Sequence, residues 1–190
     1  VRVADGWLAM LPYRTSVEQL RKDAVWLKKE RRAVGEETVL VFHADINGAK
    51  YNKTGVKSEG RMHAEELYPS QYRACIGGHI HLPQRIGKNV YYTGSPFPTD
   101  WGEANQRKSF LVVEDTQVRR MASPIPGWYD ESWPDFPATV EGDMAWKGSK
   151  VRIHVSCAIG QDYGKVLERA RRRAEEKYRG ADILVVAEFK

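Results

Sequence analysis

Two histidines stand one residue apart behind a glycine pair in Gly77-Gly78-His79-Ile80-His81, and a third, His43, closes the apolar run Thr38-Val39-Leu40-Val41-Phe42. A metal ion binds neutral imidazole through a lone-pair nitrogen, and ligands carried on strand ends are held rigidly. Glycine just before such a ligand lets the backbone come close to the site. His43, His79 and His81 are therefore the candidate metal ligands. The alternative is three unrelated histidines, two of them hydrogen-bonded at the surface. His63, in a polar stretch expected to be helical, and His154, inside a strand-like run, lack this context and are expected to be structural. No Asp-x-His, Gly-Asp or Asn-His pair precedes the histidines, so the chain carries about half of a metal site.

The elements that position these residues follow from hydrophobic spacing. Trp7–Leu11 reads as a buried strand stopped by Pro12. Ser16 with Gln19 forms a capping-box pattern, and Leu20, Ala24 and Leu27 recur at helical spacing up to the basic cluster Lys28–Arg32. Gly35 is expected to break that helix, and Thr38–Phe42 then delivers His43. The polar stretch Asp45–Glu59 reads as a substrate-facing loop, in which Asp45 is a possible local carboxylate. A short helix over Met62–Leu67 precedes the strand Arg73–Ile76, and Gly77-Gly78 is expected to turn the backbone out of it. Val90–Tyr92 leads into the turn Thr93-Gly94-Ser95-Pro96. Ser109–Glu114 and Val118–Met121 then pair around Asp115-Thr116.

Composition shifts at Ser123. Four prolines and two tryptophans between Ser123 and Pro137 read as an extended linker. Beyond it, Lys150–Cys157, an apolar face of Tyr163, Val166, Leu167, Ala170, Ala174 and Tyr178, and Ile183–Ala187 form a β-α-β unit. Arg171-Arg172-Arg173 lies off that face, as a solvated surface or a DNA contact. The expected layout is a partial domain over 1–122, a linker over 123–149 and a cap-like unit over 150–190.

Bulk properties narrow the class. The chain has 190 residues, with 42% hydrophobic and 29% charged, which suits a globular protein with a sizeable core. No apolar stretch is long enough to span a membrane, and no basic-then-apolar leader is present. Cys75 and Cys157 sit in apolar runs and read as buried free thiols, which suits a reducing cytoplasm. The net charge of +5 suits a polyanionic partner but is spread along the chain. The first residue is Val1 rather than Met, so Val1 is expected not to be the natural start.

Strand-His43, then Tyr72–Cys75 with Gly78-His79-Ile80-His81, then Tyr91-Tyr92-Thr93-Gly94-Ser95, in that order, resembles the calcineurin-like metallophosphoesterases. Within that superfamily it is most similar to the SbcD-type exonuclease subunit of double-strand-break repair and its phage recombination relatives. The resemblance covers residues 7–121, including Leu11-Pro12-Tyr13, and the β-α-β unit is similar in layout to the cap of such nucleases.

The resemblance implies an α/β fold: the C-terminal half of a layered metallophosphoesterase sandwich, followed by a small β-α-β capping unit. It implies two divalent metal ions, Mn²⁺ or similar, with His43 and His79 on the second ion and His81 on the first. Two cations roughly 3.5–4 Å apart clamp the attacking and leaving oxygens of a phosphodiester. Gly94 and Ser95 shape the phosphate pocket in this reading, or form an ordinary turn. The proton-donor histidine and the carboxylate ligands are expected upstream of Val1, so no catalytic residue is named, and the chain by itself is expected to bind metal weakly and cut DNA poorly. The implied partners are DNA, a second copy in a homodimer and an SbcC-type ATPase. The rival functions are a phosphoesterase for a small nucleotide or phosphomonoester, and a non-catalytic remnant that binds DNA or a partner chain.

Overall fold

The structure is a computed structural model describing residues 1–3, 6–34, 38–52, 54–60, 62–114, 117–135, 146–158 and 160–189. It is a mixed α/β chain made of two compact units, Val1–Pro96 with Lys108–Ser123, and Phe97–Arg107 with Pro124–Lys190.

The first unit is built on a six-stranded sheet. Its strands are β1 (Arg2–Val3), β2 (Gly6–Leu11), β3 (Thr38–His43), β4 (Ala74–Gly78), β5 (Gln84–Ile86) and β6 (Val90–Tyr92), in the order β1-β2-β3-β4-β6-β5. The four central strands β2, β3, β4 and β6 run parallel. Thr38, Leu40 and Phe42 alternate inward on β3 and are buried, as a strand period of two requires. One row crosses the four parallel strands near their carboxyl edge: Leu11 beside Phe42, Phe42 beside Gly77, Gly77 beside Tyr92. His43 and His79 lie just beyond that row.

The helix α1 (Val17–Val34) contributes Leu20 and Ala24 to a core that includes Leu11, Leu40, Phe42, Met62 and Tyr92. Each large apolar side chain buried in this way contributes about 1.5–3 kcal/mol. The N-terminal cap forms in half: the Gln19 N–H donates to Ser16 Oγ at 3.3 Å, while the Gln19 amide donates to Asp23 at 2.8 Å. The expected break at Gly35 lies outside the described residues.

The expected turn at Gly77-Gly78 is corrected by the sheet register. Gly77 and Gly78 do not turn the chain out of β4 but continue its ladder, opposite Phe42 and His43. Their lack of a side chain serves packing: a Cβ on Gly77 would lie 2.5 Å from the Phe42 ring, and one on Gly78 would lie 2.9 Å from His43 Nδ1. The backbone leaves the strand at His79, whose φ is +89°. The short helix expected over Met62–Leu67 is present as a 3-10 helix, Ala64–Leu67. Met62 forms a bridge with Ile46, and two 3-10 turns follow, Ala64–Leu67 and Pro69–Gln71.

A two-stranded antiparallel hairpin, β7 (Ser109–Glu114) and β8 (Gln117–Ala122), completes the first unit. Its expected turn at Asp115-Thr116 lies outside the described residues.

The second unit has three parallel strands, β9 (Trp128–Trp133), β10 (Lys150–Cys157) and β11 (Asp182–Phe189), in the order β11-β10-β9. The β-α-β unit is present, with helix α2 (Tyr163–Lys177) packing Ala170 and Ala174 against Val151, Ile153 and Val155. The Asp162 carboxylate caps α2, accepting from the Lys165 N–H at 3.3 Å. The stretch expected as a linker instead supplies β9. Trp128–Trp133 pairs with Lys150–Val155, and Asp130 on β9 holds Arg152 and His154 on β10. Both cysteines are free and buried, and burial pushes the Cys75 thiol up to about 12. Among the described residues no helix is long and apolar enough to cross a membrane.

Candidate metal and phosphate site at the sheet edge

Ligand sites in open parallel sheets form beyond the carboxyl ends of the strands. In the first unit that edge carries Tyr13 after β2, His43 at the end of β3, His79 after β4, and Thr93-Gly94-Ser95 after β6. The parallel register brings these residues together from separate parts of the sequence.

The rings of His43 and His79 are 5.3 Å apart between centroids, at 75° to each other. Tyr13 meets both, edge-on to His43 at 6.1 Å and near-parallel to His79 at 6.5 Å. No ring nitrogen of His43 or His79 has a hydrogen-bond partner among the described residues. Partial desolvation, and next the positive charge that His79 can carry, hold His43 below the ordinary histidine value. His43 is therefore a neutral imidazole at pH 7, with a lone pair on its surface-exposed ring.

His81 is exposed two residues further on, and its carbonyl accepts from the Ser95 N–H at 3.1 Å. That bond closes the Gly94-Ser95 turn onto the histidine loop. Gly94 has a φ of +77°, and a Cβ there would lie 2.6 Å from Pro83 Cγ and 2.9 Å from the His81 carbonyl oxygen. Glycine is thus required both by conformation and by space. Ser95 is buried, and its hydroxyl accepts from the buried Lys108 ammonium at 2.7 Å.

Two braces set this edge. The Tyr92 hydroxyl donates to the Ala44 carbonyl at 2.7 Å and accepts from the Ile46 N–H at 3.0 Å, fixing the chain immediately after His43. Burial raises the pKa of that phenol, so it stays protonated. From β8, Arg120 donates to the carbonyls of Tyr92 at 3.0 Å and Thr93 at 3.1 Å, and to Ser109 Oγ at 2.8 Å.

Asp45, the possible carboxylate beside the histidines, is half-buried. Its Oδ2 accepts from the Tyr51 hydroxyl, and its Oδ1 is buried without a hydrogen-bond partner. Two imidazoles side by side fit part of the shell of a first-row divalent ion. Among the described residues, however, no three His, Cys, Asp or Glu side chains gather as a group able to hold a metal. These residues alone do not build a two-ion centre, which also needs an anion between its cations.

Lys108 and Arg120 carry no local signal of a role at this edge, one just before the hairpin and the other among its polar positions. Tyr13 could have been found, since it follows a strand end just as His43 does. His154 has a carboxylate partner on each ring nitrogen, and the backbone at His63 starts a short 3-10 helix. The His63 N–H donates to Glu66 Oε2 at 2.7 Å, and His154 lies between Asp130 and Glu188. Comparison with protein-family models and with characterised proteins gives no match for this chain.

Proposed function

We propose that this chain carries the histidine-bearing part of a metal-dependent phosphodiesterase acting on DNA in repair or recombination, an SbcD-like exo- or endonuclease. The observation that supports this most is the pair His43 and His79, adjacent at the ends of neighbouring parallel strands, with no hydrogen-bond partner on either ring among the described residues. In this reading His43 and His79 share one divalent ion, Mn²⁺ or a similar metal, and His81 serves a second. Such ions polarise the phosphodiester and lower the pKa of bound water. The chain's own residues hold His43 below the ordinary histidine value, shape the phosphate turn at Gly94-Ser95 and fix that turn through Lys108 and Arg120. The resemblance implies carboxylate ligands and a proton donor in addition to these three histidines. Cytoplasmic action as a homodimer with an ATPase partner belongs to the same proposal.

The absence of a three-ligand group among the described residues favours a second reading, a non-catalytic chain that binds DNA or a partner. Mn²⁺-dependent cleavage of linear duplex DNA separates the two, measured on this chain and on a version extended upstream. The nuclease reading expects cleavage by the extended protein, lost in His79→Ala. If neither form cuts duplex DNA, the binding reading stands. Cleavage confined to a small chromogenic phosphodiester points to a small-substrate phosphoesterase.

A further inference from the structure

The strand β11 closes one side of the second unit's sheet, and among the described residues no strand pairs with its outer edge. It is eight residues long and has no charge or proline between Asp182 and Glu188, the features that usually blunt such an edge. The Asp182 N–H donates inward, to the Ser149 carbonyl at 2.8 Å. Backbone groups alternate along a strand, so Ile183, Val185, Ala187 and Phe189 present their N–H and C=O groups outward. The packing on this edge is also incomplete. Ile183, Val185 and Ala187 are only partly buried, whereas Val151, Ile153 and Val155 beside them on β10 are fully buried. Phe189 is 68% exposed, against a Tyr163 ring that is itself exposed.

A second copy running antiparallel fits this edge. Odd positions must meet odd positions, because only then do outward groups face each other while each core face stays on one side of the joined sheet. With Val185 on the two-fold axis, Asp182 stands opposite Glu188 of the other copy, a like-charge contact. With Ala187 on the axis, Ile183 is left unpaired. With Val186 there, Ile183 pairs with Phe189 and Val185 with Ala187, giving about eight backbone bonds and no like charges opposed. The charges complement each other as well: antiparallel pairing turns Asp182 toward the far end of the other strand, where Lys190 follows Phe189 in the sequence. We infer that a second copy of this chain pairs with β11 in that register, joining two three-stranded sheets into one of six strands with both α2 helices on the same side. The inference deepens the homodimer of the proposed function, rests on that reading for the occupant, and assigns its surface. One strand pair is a small interface, so the dimer forms in the micromolar to millimolar range.

The test is disulfide crosslinking of the full chain under mild oxidation, without metal or DNA. A residue on the axis lies about 4.5 Å from its mate, measured between Cα atoms of a non-hydrogen-bonded pair, which is within disulfide reach. Val186→Cys is expected to link two copies about tenfold faster or better than Val56→Cys, an exposed position of the first unit, because only a pair within reach closes without backbone movement. Val185→Cys and Ala187→Cys, the axis residues of the rival registers, are expected to trail it. Faster linking at either of these, or a Val186→Cys rate no higher than that of Val56→Cys, overturns the inference. So does a wild-type chain that sediments as a monomer at about 1 mM. Amide exchange at Val185 and Ala187 is expected to slow as the concentration rises. Full protection already present in dilute monomer means that another segment occupies the edge, and overturns the inference as well. A dimer built on another surface refutes this assignment and leaves the nuclease reading intact, while loss of cleavage leaves the crosslinking result intact.

Discussion

The parallel strands of the two sheets treat histidine in opposite ways. In the second unit His154 stands in the middle of β10, with Nε2 2.8 Å from Asp130 and Nδ1 2.7 Å from Glu188. Both nitrogens are committed, and Asp130 is further held by Arg152, first among the groups that keep its carboxyl below the usual range. In the first unit His43 and His79 stand at strand ends with no such partners among the described residues. Position along the strand decides the difference. A mid-strand side chain meets its neighbours' side chains in register, whereas one beyond the ladder faces solvent and whatever binds there.

The central strands differ in the same sense. β10 fills its buried face with Val151, Ile153 and Val155, while β4 ends in Gly77-Gly78 to admit the rings of Phe42 and His43. Opposite changes therefore act in the same direction. Ile153→Ala removes buried methylenes and is expected to cost about 2–5 kcal/mol in denaturant unfolding. Gly77→Ala adds one carbon against Phe42 and Tyr92 and is expected to cost about 1–3 kcal/mol. A neutral Gly77→Ala would show that β4 has room the geometry denies.

The histidines separate next. His154→Ala removes a ring held between two carboxylates and is expected to cost about 1.5 kcal/mol. His79→Ala removes an exposed, unbonded ring and is expected to change stability by less than about 0.5 kcal/mol. Equal costs for the two substitutions would remove the distinction between a structural and a ligand-ready histidine.

The smallest effect is a titration. NMR should place His43 below the ordinary histidine value of about 6.5, and His79→Ala should raise it part of the way, because desolvation, the larger cause, remains. A pKa lowered by folding means that the unfolded chain takes up the proton first. The contribution of His43 to stability is thus present above the ordinary histidine range and is lost as pH falls through it.

Much of the first unit was legible because its signals are local. Alternation in Thr38–Phe42 marked β3 and placed His43 at its end, and 3.6-residue spacing marked the buried faces of α1 and α2. What escaped depends on partners distant in sequence. Gly77-Gly78 looked like a turn because their reason to be glycine is the rings of Phe42 and His43, more than thirty positions away. The strand β9 escaped because Trp-Tyr-Asp-Glu-Ser-Trp has no apolar alternation, and Asp130 there is explained by Arg152 and His154. Tyr13 reaches the site only through the register of β2 against β3.

The central claim is that His43 and His79 together form a metal-binding edge. It is tested most directly by following the histidine ring resonances during a Mn²⁺ titration of the full chain. The account expects the signals of His43 and His79 to broaden together while those of His154 persist. Broadening of His154 first, or of none of the three at millimolar Mn²⁺, would contradict it.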